Sequence, residues 1–567
     1  MQIIKSVITL VVFFFPLFII AQTTYLPEGS KELHFIDRME IKQGQNTDLN
    51  FSTAKPYSRK AIVREAEYID SLSRGYHESL TGNDNNEKVT SHLSQVDQYD
   101  LHSLLMNNSE WVTGDKESFL SRKPVLKNFY VTKPNLLEVN TPDFFLAVNP
   151  VLNLQAGGES NNGQSLYYNK RGITLRGRIA NKIGFSTTIT DNQERGPLFF
   201  KSRVTGFNAV PGVGFYKRFK SNGYDYFDGR GYITFNATRY IDIQFGYDKN
   251  FIGNGYRSLF LSDFGDSYLF LKLNTRIWKF NYENLFMELM PEYLKAGDKL
   301  LDRKYAAMHH LSMNVTRWLN VGLFEGVVFG RKNRFDFEYL NPIIFLRHVE
   351  GTVGSPDNAL AGIDFKANVA HQFQFYGQLL LDEFLVNEIA KNNGYWANKY
   401  GYQLGVKYID AFKIDNLDLQ LETNRVRPFT YSHYDSVANY THYNQPLAHP
   451  LGANFQEWIG ILKYQPAPQW SIDARAIYYY QGLDSLGENF GSNPFELYTT
   501  RSRNYGYYIG SGSKVKCLNA AITLSYELKE NLFIEGNALY RKFTGLSNSG
   551  IFNIGIRWNA ARRDYNY

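Results

Sequence analysis

Residues 416–424 read NLDLQLETN, and apolar and polar side chains alternate along this stretch without interruption. Leucines at positions 417, 419 and 421 alternate with Asp418, Gln420 and Glu422. Successive side chains of a β-strand point to opposite faces of its sheet. The stretch therefore predicts a strand with one apolar face and one polar face.

The same period of two recurs from about residue 143 onward. Clear examples are RGITLRGRI (171–179), HQFQFYGQLLLD (371–382) and GIFNIGIRW (550–558). We count about eighteen such segments of roughly ten residues each, a length that suits tilted strands crossing a lipid bilayer. Alternation alone also fits a soluble antiparallel sandwich, so the connections have to discriminate between the two folds.

Short and long connections alternate between these segments. The short ones are IANK (179–182), ATRY (237–240), NTRI (274–277), TRWLN (316–320), VAHQ (369–372), AFKID (411–415), QPAPQ (465–469) and LKEN (528–531). The long ones include 191–229, 249–266, 330–357, 383–400, 425–453 and 482–515. Barrels of bacterial outer membranes have short periplasmic turns and longer extracellular loops, whereas a sandwich gives no reason for such alternation. We therefore predict an all-β membrane barrel of about 18 antiparallel transmembrane strands, integral to the outer membrane, over residues 139–567.

The first residues have the pattern of an export signal. MQIIK carries a basic residue, residues 6–20 are almost wholly apolar, and Ala21 precedes Gln22. We predict a signal peptide over residues 1–21. The residue after the expected cleavage is a glutamine rather than a cysteine, so we expect no lipoprotein.

Residues 22–138 differ in character from the rest of the chain. RKAIVREAEYIDSL (59–72) and QVDQYDLHSLLM (95–106) space their apolar residues as helices do, and the polar GNDNNEK (82–88) lies between them. We predict a small, mainly α-helical periplasmic domain, with a partly ordered linker as the alternative.

The composition agrees with an exported, alternating chain. Aromatic residues make up 16% of the 567 residues, yet the mean hydropathy is −0.37. The net charge of +6 is spread along the chain without a basic run, so we predict no nucleic-acid partner. Cys517 is the single cysteine, which leaves no internal disulfide and no thiolate zinc cluster.

Residues 253–258 read GNGYRS, a Gly-x-Gly directly after an apparent strand. A dinucleotide-binding turn needs a third glycine and a following helix whose N-terminus meets the phosphate. Here Ser258 stands at the third position and another alternating strand follows, so we predict the tip of an outside-facing loop. The candidate ligand contacts of this loop are Asp248, Asn250, Gly253, Asn254, Gly255, Tyr256, Arg257, Ser258 and Asp263.

Polar positions of the predicted strands face the barrel lumen. The candidate lumen residues are Arg176, Arg178, Asp242, Gln244, Asp418, Gln420, Glu422, Glu535 and Arg541. Their mixed charges are compatible with an aqueous pore or with a bore closed by cross-links. The sequence leaves both alternatives open.

No catalytic constellation is visible in the sequence: it has no Gly-x-Ser-x-Gly elbow and no His-Glu-x-x-His. His433, His442 and His449 lie in one loop, but their irregular spacing favours structural or sugar-contacting roles over a metal site. His309 and His310 are adjacent in a strand and therefore face opposite sides. We predict a non-enzymatic protein with no catalytic residues, metal or cofactor.

The long loops are rich in tyrosine, phenylalanine, asparagine, aspartate and arginine, as in SNGYDYFDGRGY (221–232). Rings with hydrogen-bonding neighbours suit carbohydrate, whose faces stack and whose hydroxyls need partners. Loops that only pack on one another have the same composition, so both interpretations stay open.

Two motifs resemble those of the Wzi capsule-assembly family. GNGYRSLFLS (253–262) is similar to the Gly-Pro-Gly…Ser-Leu-x-Leu-Ser segment of that family, and DNALAGIDF (357–365) is similar to a second part of its pattern. The chain departs from the pattern at Asn254, which replaces the proline, and at Phe251–Ile252, where the family has a tryptophan. The resemblance implies an eighteen-stranded outer-membrane barrel with a periplasmic helical part. It also implies that the protein holds capsular polysaccharide at the cell surface.

Four further segments look closer to a RemB-like branch of gliding, Bacteroidetes-type bacteria. They are LPEGSKELHFIDRMEIK (26–42), FEYLNPIIF (337–345), RVRPFTYSHYD (425–435) and YNQPLAHPLGANF (443–455). We therefore expect a surface protein that binds, anchors or helps assemble polysaccharide and contacts outer-membrane lipid and lipopolysaccharide. The alternatives are a component of a gliding-motility or secretion apparatus that contacts other proteins, and a diffusion porin.

Overall fold

The computed structural model describes residues 23–44, 52–73, 93–291, 300–331, 334–343, 345–354 and 356–567. The expected signal peptide and the GNDNNEK stretch lie outside the described residues.

Eighteen antiparallel strands form a closed barrel, which confirms the predicted fold. They are β1 (Phe144–Glu159), β2 (Leu166–Ile179), β3 (Ile183–Arg195), β4 (Gly223–Thr238), β5 (Ile241–Asp248), β6 (Tyr268–Ile277), β7 (Phe280–Leu289), β8 (Lys304–Asn314), β9 (Leu319–Phe329), β10 (Asn358–Val369), β11 (Phe373–Glu383), β12 (Lys399–Tyr408), β13 (Leu417–Val426), β14 (Phe455–Ala467), β15 (Trp470–Leu483), β16 (Ser513–Lys529), β17 (Leu532–Phe543) and β18 (Ser549–Trp558). Each strand pairs with the next along the chain, and β18 pairs with β1 to close the barrel.

Short two-residue to four-residue strands add to this frame. Leu137–Asn140 pairs with β1, and Lys217–Phe219 pairs with β4. Ala54–Lys55 pairs with Phe251–Ile252, and Thr441–His442 pairs with Gln445–Pro446. The pairing of Ala54–Lys55 with Phe251–Ile252 joins the N-terminal region to a loop inside the barrel.

The alternation read from the sequence separates the two faces of the wall. On β13, Leu421 is 63% exposed, whereas Asp418 and Glu422 on the opposite face are buried. Exposed apolar side chains recur on the same face of the other strands, for example Ile189 and Ile363. A ring of exposed apolar side chains around a polar interior is the arrangement that a hydrocarbon environment stabilises.

The connections alternate much as the sequence predicts, and we call the two ends of the barrel the short-turn end and the long-loop end. Several strands extend a few residues into the predicted connections, and the largest difference among the short ones is that β6 continues through all of NTRI, with its turn formed by Trp278 and Lys279. The expectation of a loop in SNGYDYFDGRGY is wrong, because residues 223–232 belong to β4. Tyrosine and phenylalanine favour strands, and β4 pairs with β3 through this stretch although its pairing with β5 ends at Gly231.

The described residues also form six α-helices: α1 (Glu32–Gln43), α2 (Arg59–Ser73), α3 (Gln95–Asn107), α4 (Leu198–Phe207), α5 (Leu346–Thr352) and α6 (Val386–Lys391). Short 3-10 helices lie at Glu117–Phe119, Phe337–Leu340, Ala411–Lys413 and Tyr498–Thr500. No helix among the described residues is long and apolar enough to cross a membrane.

The N-terminal helices share one apolar core, to which Phe35, Ile62 and Leu101 contribute. The sequence predicts α2 and α3 almost to the residue, whereas it misses α1. Ser94 and Asp97 form a capping box that fixes the start of α3.

These helices lie inside the short-turn end of the barrel. Arg38 of α1 donates to Asp418 of β13 and, at 2.9 Å, to Asp410 in the turn before it. Lys366 of β10 lies 2.7 Å from Glu40 of α1, and both side chains are buried. Oppositely charged side chains of helix and wall thus pair across the bore.

Three further segments of the chain lie inside the bore. They are residues 249–267 between β5 and β6, residues 427–454 between β13 and β14, and residues 559–567 after β18. The last segment places Arg563 2.9 Å from Glu194 of β3, and the Tyr565 hydroxyl donates to the same carboxylate at 2.6 Å. Among the described residues, the interior is therefore filled by protein.

We expect a charge on the apolar outer face to destabilise the barrel. Ile363→Arg in the middle of β10 should lower the free energy of unfolding by about 2–4 kcal/mol in lipid vesicles, because hydrocarbon solvates a guanidinium poorly. Denaturant titration of the heat-modifiable, folded form measures this loss. Leu486→Arg, in the connection between β15 and β16, is the control and should leave the stability unchanged.

Candidate functional site

The loop that contains the Gly-x-Gly, residues 249–267, folds into the barrel rather than out of it. Residues 257–262 are all buried, and Leu259, Phe260 and Leu261 have no exposed surface. The ring of Phe260 stacks on Phe324 of β9, with centroids 4.5 Å apart. The expectation of an outside-facing tip is therefore wrong. The apolar run after the glycines is stabilised by burial in the bore.

A carboxylate of the barrel wall holds the turn of this loop. Glu422 of β13 accepts the main-chain N–H groups of Tyr256 at 2.6 Å and Arg257 at 3.1 Å. Successive N–H groups of a turn form a concave anion-binding surface, which is the physical basis of phosphate turns. The Gly-x-Gly turn thus binds an anion, and that anion is a side chain of the same protein.

Gly255 is required by this close approach. A Cβ atom at this position would lie 2.4 Å from Glu422 Oε2 and 2.8 Å from Gln403 Oε1. Both distances are below van der Waals contact, so a Cβ atom here requires the Glu422 carboxylate and the Gln403 amide, the ends of two flexible side chains, to shift.

The side chains of the turn contact two other chain segments. The Gly253 N–H donates to the Thr53 carbonyl at 2.8 Å, and the Thr53 hydroxyl donates to the Asn254 side chain at 3.1 Å. The Tyr256 hydroxyl accepts from Arg475 at 2.7 Å. Arg257 donates to the main chain of Asn566. The turn therefore lies where the N-terminal region, the wall and the C-terminal segment meet.

The remaining candidate loop residues also have partners within the protein. Asn250 accepts from Lys272 at 3.0 Å, and Asp248 accepts the N–H of Lys249 at 2.9 Å. The Ser258 hydroxyl donates to the carbonyl of Ile252. Burial raises the pKa of Asp263 to about 6. A ligand contact for these nine residues stays a prediction, and their present contacts pin the loop.

The candidate lumen residues lie on the inner side of the wall and contact the segments in the bore. Arg176 lies 2.9 Å from Glu110 after α3, and Arg178 lies over the ring of Trp111. Asp418 pairs with Arg38, and Glu422 binds the Gly-x-Gly turn.

Of the other five lumen candidates, two contact the C-terminal segment and two contact side chains of the wall itself. Glu535 lies 2.8 Å from Arg562 of the C-terminal segment, and Arg541 donates to the main-chain oxygen of Tyr567 at 2.7 Å. Gln420 donates to the Tyr376 hydroxyl at 2.8 Å, Asp242 accepts from Asn236, and Gln244 is buried.

Ionic contacts determine how firmly α1 is held. Burial alone would raise the pKa of Asp37, but the ammonium groups of Lys407 and Lys55 hold it well below its usual range. Arg38 contacts three carboxylates, those of Asp97, Asp410 and Asp418. Because each charge is buried with opposite partners, removal of one partner is costly.

The three histidines of the 427–454 loop do not converge. His442 accepts the Met290 N–H at Nδ1 and donates from Nε2 to the Ser267 carbonyl, at 3.1 and 3.0 Å. His449 contacts Glu457, whereas the ring of His433 lies against Tyr434. Burial lowers the pKa of His442 to about 3 and that of His433 to about 4, so both are neutral near pH 7.

Among the described residues, no group of three or more His, Cys, Asp or Glu side chains forms a metal-sized site. The histidines instead fix loop conformation through their ring nitrogens.

An exposed cluster of rings lies at the long-loop end, and we call Tyr395, Trp396, Tyr434, Tyr498 and Tyr505 the aromatic platform. The rings of Trp396 and Tyr498 lie 4.7 Å apart, and those of Tyr395 and Tyr505 lie 5.4 Å apart. Tyr434 is 44% exposed and Tyr505 is 49% exposed. These two rings are available to a ligand in solution.

Main-chain hydrogen bonds make the platform rigid. Trp396 N–H donates to the Asn504 carbonyl at 3.0 Å, and Tyr507 N–H donates to the Gly394 carbonyl at 2.9 Å. The guanidinium of Arg501 lies 3.7 Å from the centroid of the Trp396 ring. The loop before β12 and the loop before β16 are thus joined beneath the exposed tyrosines.

Sequence reasoning missed the platform. It assigned the carbohydrate-like composition to the long loops in general, with residues 221–232 as the example, whereas the platform comes from NNGYWANKY (392–400), Tyr434, Tyr498 and SRNYGYY (502–508). The tyrosine density of these loops was a visible signal, but their pairing depends on contacts across about a hundred residues of chain, which a single sequence does not show.

These observations define a closed antiparallel barrel with a filled bore and an aromatic outer end. Residues 229–482, a little under half of the chain, match the sequence model of the family described as capsule assembly protein Wzi. This match covers β5 to β14 and most of β4 and β15, and it includes the platform residues Tyr395, Trp396 and Tyr434 but not Tyr498 and Tyr505.

A solved structure shows the same fold. The barrel of Wzi from Escherichia coli, described as an outer-membrane protein involved in group 1 capsule assembly and a carbohydrate-binding β-barrel, superposes with a TM-score of 0.55 at 12% identity. The superposition covers 95% of this chain and 100% of that chain. OprD of Pseudomonas aeruginosa gives a TM-score of 0.41 at 10% identity over 73% of this chain and 94% of that chain. No curated protein sequence gives a significant match.

We expect Gly255→Ala to lower the free energy of unfolding by about 1–3 kcal/mol, because the added methyl group overlaps Glu422 and Gln403. Denaturant titration in lipid vesicles measures the change. Gly163→Ala is the matched control, since a Cβ there meets nothing within 4 Å. Equal stability of the two variants would contradict the docked geometry of the turn.

We also expect Arg38→Ala to loosen the N-terminal helices, because it removes the cation that Asp97, Asp410 and Asp418 share and leaves Lys42 beside the first two, at a cost of about 3–5 kcal/mol. In planar bilayers, the unmodified protein should carry little current and the variant a larger one. Arg122→Ala, at an exposed position, is the control. A large current through the unmodified protein would contradict the filled bore.

Proposed function

We propose that this chain is an outer-membrane barrel of the Wzi capsule-assembly type that binds surface polysaccharide without catalysing a reaction. Its short turns face the periplasm, and its long-loop end faces the outside of the cell. Its partners are the polysaccharide and the surrounding lipid and lipopolysaccharide.

The match of residues 229–482 to the capsule-assembly family carries this proposal. The barrel fold, shared over nearly the whole chain with a carbohydrate-binding barrel, supports it. The N-terminal helices at the short-turn end agree with export into the periplasm, where residues 22–138 would form the inner part of the protein.

The aromatic platform supplies chemistry that suits sugar. The apolar faces of pyranose rings stack on tyrosine and tryptophan, and polar neighbours hydrogen-bond the hydroxyls. Arg503 and Asn504 border Tyr505 in sequence, and Asp435 follows Tyr434. Because the platform is held by main-chain hydrogen bonds, little ordering is required when a glycan binds.

The filled bore favours binding over diffusion. A diffusion porin of eighteen strands keeps an aqueous channel. Here buried ion pairs such as Lys366–Glu40 and Arg563–Glu194 join the filling segments to the wall. A conducting path would require these pairs to separate.

The likeness to a RemB-like gliding branch rests on four sequence segments, and one of them, residues 425–435, includes the platform residue Tyr434. A role in movement through this surface is therefore the second candidate. A deletion mutant separates the two functions: polysaccharide binding requires that cell-bound glycan falls and free glycan rises. Unchanged glycan retention with lost movement would favour the machinery.

We expect Tyr434→Ala and Tyr505→Ala each to weaken binding of isolated surface polysaccharide roughly two- to tenfold, because one stacked ring contributes about 0.5–1.5 kcal/mol. Surface plasmon resonance with the reconstituted barrel measures the affinity. Tyr240→Ala, an exposed tyrosine at the short-turn end, is the matched control and should bind as the unmodified protein does. If all three variants bind equally, the platform is not the glycan site.

A further inference from the structure

Residues 334–343 and 345–354, between β9 and β10, lie against the outside of the barrel, and we call them the outer cover. Tyr339 and Leu346 of the cover have no exposed surface, and they pack with Phe286, Val327 and Phe329 of the wall. These wall residues lie on the side of β7 and β9 that points away from the bore. The cover thus occupies a position that lipid takes elsewhere on the barrel.

The direction of these side chains follows from their neighbours. Leu285 of β7, Met308 of β8 and Phe324 of β9 belong to the apolar core that also contains Phe260 of the bore. Because successive strand residues face opposite sides, the positions next to these three point outward.

A row of polar side chains lies beneath the cover. Asn284, His309 and Glu325 are directly opposite one another on β7, β8 and β9, at outward positions. His309 Nδ1 lies 3.1 Å from Glu325 Oε1. All three side chains are buried, although they lie outside the barrel.

The cover is fixed to this row through Glu325. Its carboxylate accepts the main-chain N–H of Leu346 at 2.8 Å and also that of Phe345. Glu325 lies four residues before the end of β9. At a rise of about 3.3 Å per residue and a tilt of about 40°, its Cα lies roughly 10 Å below the end of the strand. At this depth an uncovered carboxylate would face hydrocarbon, which is costly.

Large apolar side chains lie on the exposed side of the cover, beside the exposed charged side chains of Glu338 and Arg347. Phe337 is 79% exposed, Ile343 is 65% exposed and Phe345 is 71% exposed. The neighbouring wall residues Leu323 and Ile363 are 43% and 49% exposed. The apolar surface of the barrel therefore continues across the cover.

We infer that the outer cover is embedded in the outer leaflet of the membrane, with Phe337, Ile343 and Phe345 in contact with lipid acyl chains. The cover separates the Asn284–His309–Glu325 row from hydrocarbon, and the barrel gains a membrane-embedded segment that is not a strand. This inference depends on the membrane location of the barrel and is independent of glycan binding.

Depth-dependent quenching tests the inference. Phe337→Cys and Phe345→Cys are introduced singly with Cys517→Ser, labelled with a small fluorophore and folded into vesicles of phosphatidylcholine brominated on its acyl chains. We expect the fluorescence to fall about twofold relative to vesicles without bromine. Ile363→Cys is the positive control on the wall, and Leu486→Cys, in the loop between β15 and β16, is the unquenched control.

Two outcomes would overturn the inference. Fluorophores on the cover that behave like the Leu486→Cys label, with quenching by aqueous iodide instead of lipid bromine, would place the cover in water. Fluorophores protected from both quenchers, with crosslinks between two copies of the chain, would assign this face to a protein contact. Heat-modifiable migration of each labelled variant establishes that the barrel has folded before quenching is compared.

Discussion

The width of an eighteen-stranded barrel is the constraint on which the other features depend. Side chains of the wall can fill the interior of a barrel of about eight strands but leave a wider one open. The period of two also gives every strand an inward polar row, for example Asp418, Gln420 and Glu422 on β13. A bore that is closed must therefore be filled by segments that bring the opposite charges and the missing hydrogen bonds.

The filling segments meet this requirement from several directions. Arg38 of α1 neutralises Asp418, and Arg563 of the C-terminal segment neutralises Glu194. The charges are reversed where Lys366 of the wall meets Glu40 of α1. Buried pairs of this kind add little net stability relative to apolar packing, but separation of one pair is costly. They therefore specify which segment lies at which height in the bore.

The sequence predicts the wall better than its contents. Alternation locates the strands. The positions of residues such as Arg176 and Glu535 in the alternating pattern assign them to the inner side, because side-chain direction in a strand is a local property. The position of residues 249–267 inside the bore depends on contacts with residues far away in the sequence. The partner of their turn, Glu422, lies about 165 residues away, and an apolar run in a long loop is compatible with a bore, a membrane surface or a partner. The aromatic platform was missed for the same reason, since it joins two distant loops.

Glu422 and Glu325 give the long loops a common mode of attachment. Each carboxylate belongs to the wall and accepts the N–H groups of two successive loop residues, Tyr256 and Arg257 inside the barrel and Phe345 and Leu346 outside it. Because a buried carboxylate without such donors is unstable, both loops stay bound to the wall. Part of the surface at the long-loop end is formed by loops that hydrogen bonds join to each other, for example from the Trp396 N–H to the Asn504 carbonyl. The exposed tyrosines of the aromatic platform lie on that surface, so a polysaccharide that binds there meets rings that are already in place.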